Sequence, residues 1–315
     1  DPATDYDVTL DGADNDFVGT VTATGKDVTL ADSNALTAVL TASGDSAVTA
    51  GGNLAVSGST QGLTTTTTDG GTTSFGATTI GGALSATSDG AISQSGALTV
   101  TGATTLAAGT NAIILDDEGN DFNGTVNAAG SDVTLNDTDD LTLGNVTAGG
   151  NLDATAATDL ALNGTINVDS LDLEATGGAI SQGADGTLTV ATGPTNLQAD
   201  DAITLDQAND FNGTVNATGS DIDLEDGAGG LILGDVTATG TLDATSTAGA
   251  ITQAASTTIS VDGATTLAAT DGQDPATDYD VTLDGADNDF VGTVTATGKD
   301  VTLADSNALT AVLTA

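Results

Sequence analysis

The sequence predicts an all-β protein wound as a single-stranded parallel β-helix, a β-solenoid with roughly 20 residues per coil. Three observations predict it. The opening stretch, Asp1 to Ala42, returns unchanged as Asp274 to Ala315, so one full period runs from Asp1 to Gln273. Within the period, short runs rich in Val, Leu, Ile and Thr recur about every 9 to 12 residues between Gly, Asn, Asp and Ser, with the two-residue alternation of a strand that has one buried face. Large aromatics are scarce, five Phe and two Tyr with no Trp, so the core must be a thin stack of small aliphatic side chains.

Taken in order, the period divides into sub-blocks at about 1–110, 111–200 and 201–273, and 274–315 restarts the first. Each opens with a strand, an acidic turn and the phrase Asn-Asp-Phe-x-Gly-Thr-Val. Its phenylalanines, Phe17, Phe122, Phe211 and Phe290, lie at unequal intervals that shorten along the chain. Unequal spacing is tolerated by a solenoid, in which each coil touches only its neighbours. A Gly-Lys/Ser-Asp turn and a strand follow, Gly25 to Leu30, Gly130 to Leu135 and Gly219 to Leu224, with Val133 and Leu135 inward and Thr134 outward. Leu-rich strands begin at Leu141 and Leu231. Each block closes on Ala-Ile-Ser/Thr-Gln, at Ala91, Ala179 and Ala250. The five threonines Thr64 to Thr68 read as a strand with alternate hydroxyls inside and outside. Phe75 reads as a core filler under a corner, and Tyr6 and Tyr279 as seam residues.

The chain reads as one continuous solenoid over 1–315, a window of a longer tandem array. About 16 coils at a strand spacing of ~4.8 Å give a rod about 75 Å tall. The copy junction, Gly272 to Asp278, reads as a continuation of one core without a hinge.

Charge narrows the function. Forty-five acidic residues stand against two lysines, with no Arg and no His, for a net charge of −43. A nucleic-acid partner is excluded by the missing basic surface, and docking on anionic membranes is disfavoured. No run is long and apolar enough to insert in a membrane. Without Cys, no disulfide or thiolate site can form. Without His, Cys or Arg, no His base, Cys nucleophile or Arg clamp is available. The pairs Asp116–Asp117 and Asp139–Asp140 are the remaining candidates for a polysaccharide-cleaving β-helix, but such sites add basic residues for an acidic sugar, and this chain offers one Lys per period. No enzyme is expected.

The acidic turns are the candidate metal sites. Asp11, Asp14 and Asp16, then Asp116, Asp117 and Asp121, then Asp206 and Asp210, then Asp284, Asp287 and Asp289 place oxygens close together along the chain, with Asn15, Asn120, Asn209 and Asn288 beside them. Calcium is the fitting hard cation, although neither an EF-hand loop nor a Gly-Gly-x-Gly-x-Asp repeat is present. The alternative is that these residues stop strands and hydrogen-bond their own turns, with no cofactor required. Lys26 and Lys299 read as solvated turn residues or as salt bridges to a neighbouring chain.

With these phrases laid out, the stretch Asn120 to Ala156, together with Ala-Ile-Ser-Gln and Leu-Thr-Val-Thr-Gly-Ala-Thr-Thr-Leu-Ala-Ala from Leu98, resembles the repeat region of filamentous-haemagglutinin-type exoproteins of two-partner secretion systems. The resemblance implies a right-handed parallel β-helix, export from a Gram-negative cell, and a surface fibre serving adhesion, biofilm or cell contact. Its partners are then further copies of the repeat end to end, with lateral association in a fibre and a receptor left open. A calcium-dependent string of Ig-like adhesive domains is the alternative, because motif spacings of about 79 to 105 residues also suit such modules.

Overall fold

The computed structural model describes residues 6–273 and 278–315. Among them there is no helix, and the strands are two to nine residues long, a wider range than the short runs of the sequence suggest. Residues up to Ala156 and from Ala157 onward form two compact units. Each is a parallel β-solenoid, so the antiparallel sandwich of an Ig-like string is not what this chain forms.

In the first unit one sheet runs through Val8–Leu10, Val28–Asp32, Ser46–Ala50, Leu63–Thr67, Leu84–Thr87, Thr104–Ala107 and Val126–Gly130. Val28 pairs with Ser46, Ser46 with Leu63, Leu63 with Leu84, Leu84 with Thr104 and Thr104 with Val126. Each coil therefore takes roughly 20 residues. The second sheet runs through Leu36–Ala42, Leu54–Thr60 and Thr73–Ile80. On its next coil Ser95-Gly96-Ala97 interrupts the strand, and Ile92–Gln94 and Leu98–Val100 pair separately with the two halves of Thr73–Ile80.

The second unit is built alike. Ile222–Asp226, Leu242–Ser246, Thr265–Ala269, Thr293–Thr297 and Thr310–Thr314 form one ladder, and Ile232–Ala238, Ile251–Gln253, Val281–Leu283 and Val301–Leu303 another. Of the copy junction, 274–277 lie outside the described residues. The strands on either side pair with each other, Ile251 with Val281 and Thr265 with Val294. That coil takes about 30 residues where its neighbours take about 20, and the ladder keeps its register.

Alternation decides which residues fill the interior. Val133 and Leu135 are fully buried with Thr134 outward. Each inward Leu, Val or Ile contributes roughly 1.5–3 kcal/mol by leaving water. Thr65 and Thr67 turn inward and Thr64, Thr66 and Thr68 outward, and Thr67 satisfies its hydroxyl on the Gly71 carbonyl at 2.6 Å. Phe75 fills the core with no exposed surface, whereas Tyr6 is 76% exposed.

Successive copies of one phrase lie on opposite sheets. In the first unit Val28 is on one sheet; five coils along that ladder lead to Val126, and the matching Val133 lies half a coil farther, on the other sheet. In the second unit three coils lead from Ile222 to Val294, and the matching Val301 again lies half a coil farther.

Candidate functional site at the Asn-Asp-Phe corner

Each of the three later motif copies ties together consecutive coils through one set of contacts. The Asn is fully buried in all three, Asn120, Asn209 and Asn288. Its side-chain amide lies against the Gln of the Ala-Ile-Ser/Thr-Gln element one coil earlier, and the two amides exchange hydrogen bonds. Gln94 Nε2 donates to Asn120 Oδ1 at 2.8 Å, and Asn120 Nδ2 donates to Gln94 Oε1 at 2.9 Å. Gln182 and Asn209 pair at 2.7 and 3.0 Å, Gln253 and Asn288 at 2.7 and 2.9 Å. The remaining capacity is used too: Asn120 accepts the Leu98 N–H at 2.9 Å and donates to the Leu115 carbonyl at 3.1 Å. A buried amide pair so satisfied fixes register, because a slip would strand four polar groups away from water.

The phenylalanine continues the tie. Phe122, Phe211 and Phe290 are about 1% exposed and stand in register beside Val100, Val190 and Val261, which follow the paired Gln on the same coil. On the coil after the motif, an aspartate 15 residues beyond the Phe braces it. Asp32 accepts the Phe17 N–H at 2.9 Å, Asp137 that of Phe122 at 3.0 Å and Asp305 that of Phe290 at 3.3 Å. Asp137 also accepts the N–H of Asp139 at 3.1 Å, and Asp226, at the matching position, accepts that of Ala228 at 2.7 Å. Burial pushes the carboxyls of Asp137 and Asp226 up to about 6.

These bracing aspartates and the glutamines were not among the candidates read from the sequence. A signal for the first was present, the constant spacing of 15. The second had none of that kind, since Gln and Asn are 26, 27 and 35 residues apart.

The candidate calcium residues take other places. Asp16 accepts from Asn34 at 3.0 Å, Asp289 from Asn307 at 2.7 Å, Asp210 from Asn212 at 2.7 Å, Asp206 from Gln207 at 2.8 Å, Asp121 from Asn123, and Asp117 from the Gly119 N–H at 2.9 Å. Asp11, Asp14, Asp116, Asp284 and Asp287 are exposed. Among the described residues no group of three or more acidic side chains converges as a metal site, and Asn120, Asn209 and Asn288 face the interior amide pair. Burial first, and then the charge of Asp139, raises Asp121.

A second set of acidic and amide residues ties coils at the other corners. Asp27 accepts the Asp45 N–H at 2.9 Å, Asp132 that of Asn151 at 3.0 Å, Asp159 that of Ala179 at 2.8 Å and Asp221 that of Thr241 at 2.7 Å. In the Asp132 and Asp221 ties, glycine precedes the N–H donor, because a Cβ on Gly150 or Gly240 would collide with the accepting carboxylate. The Thr241 bonds hold the Asp221 carboxyl below its ordinary range. Lys26 pairs with Asp27 of its own turn at 2.9 Å; both side chains are exposed, so the pair contributes little to stability.

The chemistry of the site is therefore cohesion between coils, carried by amides and carboxylates that accept backbone N–H groups. No curated protein and no solved structure shows significant similarity to the chain. A family model described as repeats of unknown function, DUF5649, matches residues 61–129, 130–169, 156–218 and 219–297. The matches span more than half of the 315 residues, and the chain belongs to the DUF5649 repeat family.

Proposed function

We propose that the chain is a structural repeat segment of a long extracellular filament or adhesin stalk, exported by a Gram-negative-type cell and joined end to end to further copies of its own period. The observation that carries this reading is the pairing across the copy junction. Ile251 pairs with Val281, Val261 with Phe290, and Gln253 exchanges amide hydrogen bonds with Asn288, as the corresponding residues do inside a period. One period thus receives the next with the contacts its own blocks use. The acidic composition supports an extended role, since a chain of net charge −43 resists collapse and nonspecific association. The exoprotein resemblance of Asn120 to Ala156 supplies the setting, a surface fibre of adhesion, biofilm or cell contact.

The test is length. Appending one further full period to the chain is expected to lengthen a single rod, seen by small-angle scattering or negative-stain microscopy, by the height of one period. Beads joined by flexible links would overturn the reading.

A further inference from the structure

We propose that Ser46 to Thr104, in the middle of the first unit, is a yielding segment, whose coils open first and reversibly while those from Ile113 to Ala156 stay closed. The inference stands on the chain alone, whether or not it belongs to a filament. In a filament of joined periods it gives each period one place that lengthens under load.

The interior of these coils is unlike that of their neighbours. Among the described residues eleven Thr and Ser side chains are buried, and eight of them lie between Ser46 and Thr104; from Thr105 to Ala156, in the same unit, there is none. They occupy inward positions that adjacent coils fill with aliphatic residues. Thr65 stands between Val48 and Ala86, Thr73 between Leu54 and Ile92, and Thr104 between Leu84 and Val126. Among the described residues the hydroxyls of these three have no hydrogen-bond partner, so each is taken from water without compensation. Others pair locally: Thr60 donates to Ser46 Oγ at 2.9 Å, and Thr67 and Ser88, 3.0 Å apart, share the Gly71 carbonyl. Such bonds replace bonds to water and add little, whereas an inward Leu or Val is held by the area it buries.

The corner ties are sparse here as well. No Asn-Asp-Phe phrase falls between Phe17 and Asn120, so the Asp32 brace precedes the segment and the Gln94–Asn120 amide pair reaches only its end. In the turn after Thr67, Asp69 holds φ at 52°, one of two non-glycine residues in the left-handed region among the described residues. The coils that follow reverse each feature. Val133, Leu135, Leu141, Leu143, Val146 and Leu152 fill them with no exposed surface, and Asp137 braces Phe122. Local opening follows the apolar contact that holds a coil shut, which is lowest in the hydroxyl-lined coils. Their long ladders, Leu36–Ala42 on Leu54–Thr60 on Thr73–Ile80, set the register in which the segment closes again.

Hydrogen exchange read by mass spectrometry on the full 315-residue chain, under conditions in which it stays folded, tests the proposal. Amides of Leu63–Thr67 and Leu84–Thr87 are expected to exchange at least about tenfold faster than those of Val133–Asp137 and Leu141–Ala148. The triple variant Thr65→Val, Thr73→Val, Thr104→Val exchanges each hydroxyl for a methyl of similar shape, and it should slow exchange across the segment by about tenfold or more. Thr195→Val with Thr265→Val removes two unpartnered hydroxyls from the second unit and should leave the segment unchanged. Circular dichroism checks that each variant is folded. Protection from Ser46 to Thr104 equal to that from Ile113 to Ala156 overturns the proposal. So does fast exchange that the three valines do not slow, which is fraying from the end of the chain.

Discussion

Asn15 and Asn288 occupy the same place in the two identical stretches Asp1–Ala42 and Asp274–Ala315, and their surroundings differ. Asn288 is fully buried and exchanges hydrogen bonds with Gln253. Asn15 is half-buried and turns its Nδ2 to the carbonyls of Leu10 and Ala31 at 3.1 and 3.2 Å. Phe290 is 1% exposed where Phe17 is half-buried. The brace from the following coil is common to both, Asp32 for Phe17 and Asp305 for Phe290. Since the local sequence is the same, the difference teaches that the repeated stretch contains one of the two ties of the corner and takes the other from the Gln-and-Val coil that precedes it.

The two copies can be set against each other by experiment. The largest effect is expected from Phe290→Ala, which empties a closed site and should cost about 3–5 kcal/mol, against less than half of that for Phe17→Ala. Urea unfolding, with hydrogen exchange at the Ser260–Val261 strand, measures both; equal losses would break the comparison. Next is Asn288→Leu, which takes one partner from the Gln253 amide and leaves the buried Ile259 N–H without its acceptor, and should cost about 2–3 kcal/mol, while Asn15→Leu costs under about 1 kcal/mol. Adding Gln253→Leu to Asn288→Leu is expected to recover only a small part of the loss, because the Gln253 amide is removed but the Ile259 and Gly285 N–H groups stay without acceptors.

A smaller effect separates adjacent glycines. Gly150→Ala drives a Cβ into the Asp132 carboxylate and should cost about 1–3 kcal/mol, whereas Gly149→Ala meets nothing within 4 Å and should be near neutral. Denaturant midpoints of the two variants decide the point.

The last effect is on pH dependence. The folded carboxyls of Asp137 and Asp226 titrate at about 6 against an ordinary 3.8, so the folded chain holds protons the unfolded chain has released. Their favourable contribution is complete below about 3.8 and is lost as pH rises through about 6. Urea stability should therefore rise as pH falls from 7 toward 4.5, and Asp226→Asn should flatten part of that slope. Stability that falls monotonically over the same window would count against the buried braces.

Much of the fold was legible because it is written in nearest neighbours along the chain. Alternation at Val133 and Leu135 set the inward face, the repeated Phe marked a corner, and the scarcity of aromatics selected a thin core. What was not legible lies between coils. The carboxylate of Asp132 gives no sign that its partner is the N–H of Asn151, 19 residues on, although Gly150 records the contact. Asn120 read as part of the acidic turn because its acidic neighbours are adjacent in sequence, while Gln94, which it touches, is 26 residues back. The same holds for Thr66: its alternation within Thr64 to Thr68 was legible, but its neighbours Thr49 and Thr87 lie one coil to either side.

The half-coil displacement between copies bears on how such a gene can change. Recombination between two copies of one phrase deletes or duplicates a block that ends half a coil out of phase, so every strand downstream is exchanged between the two sheets. In a closed domain that would destroy the pairing. Here each phrase already fits either sheet, as Val28 and Val133 do in one unit and Ile222 and Val301 in the other, so block number can drift by unequal crossing-over without loss of the hydrophobic interior.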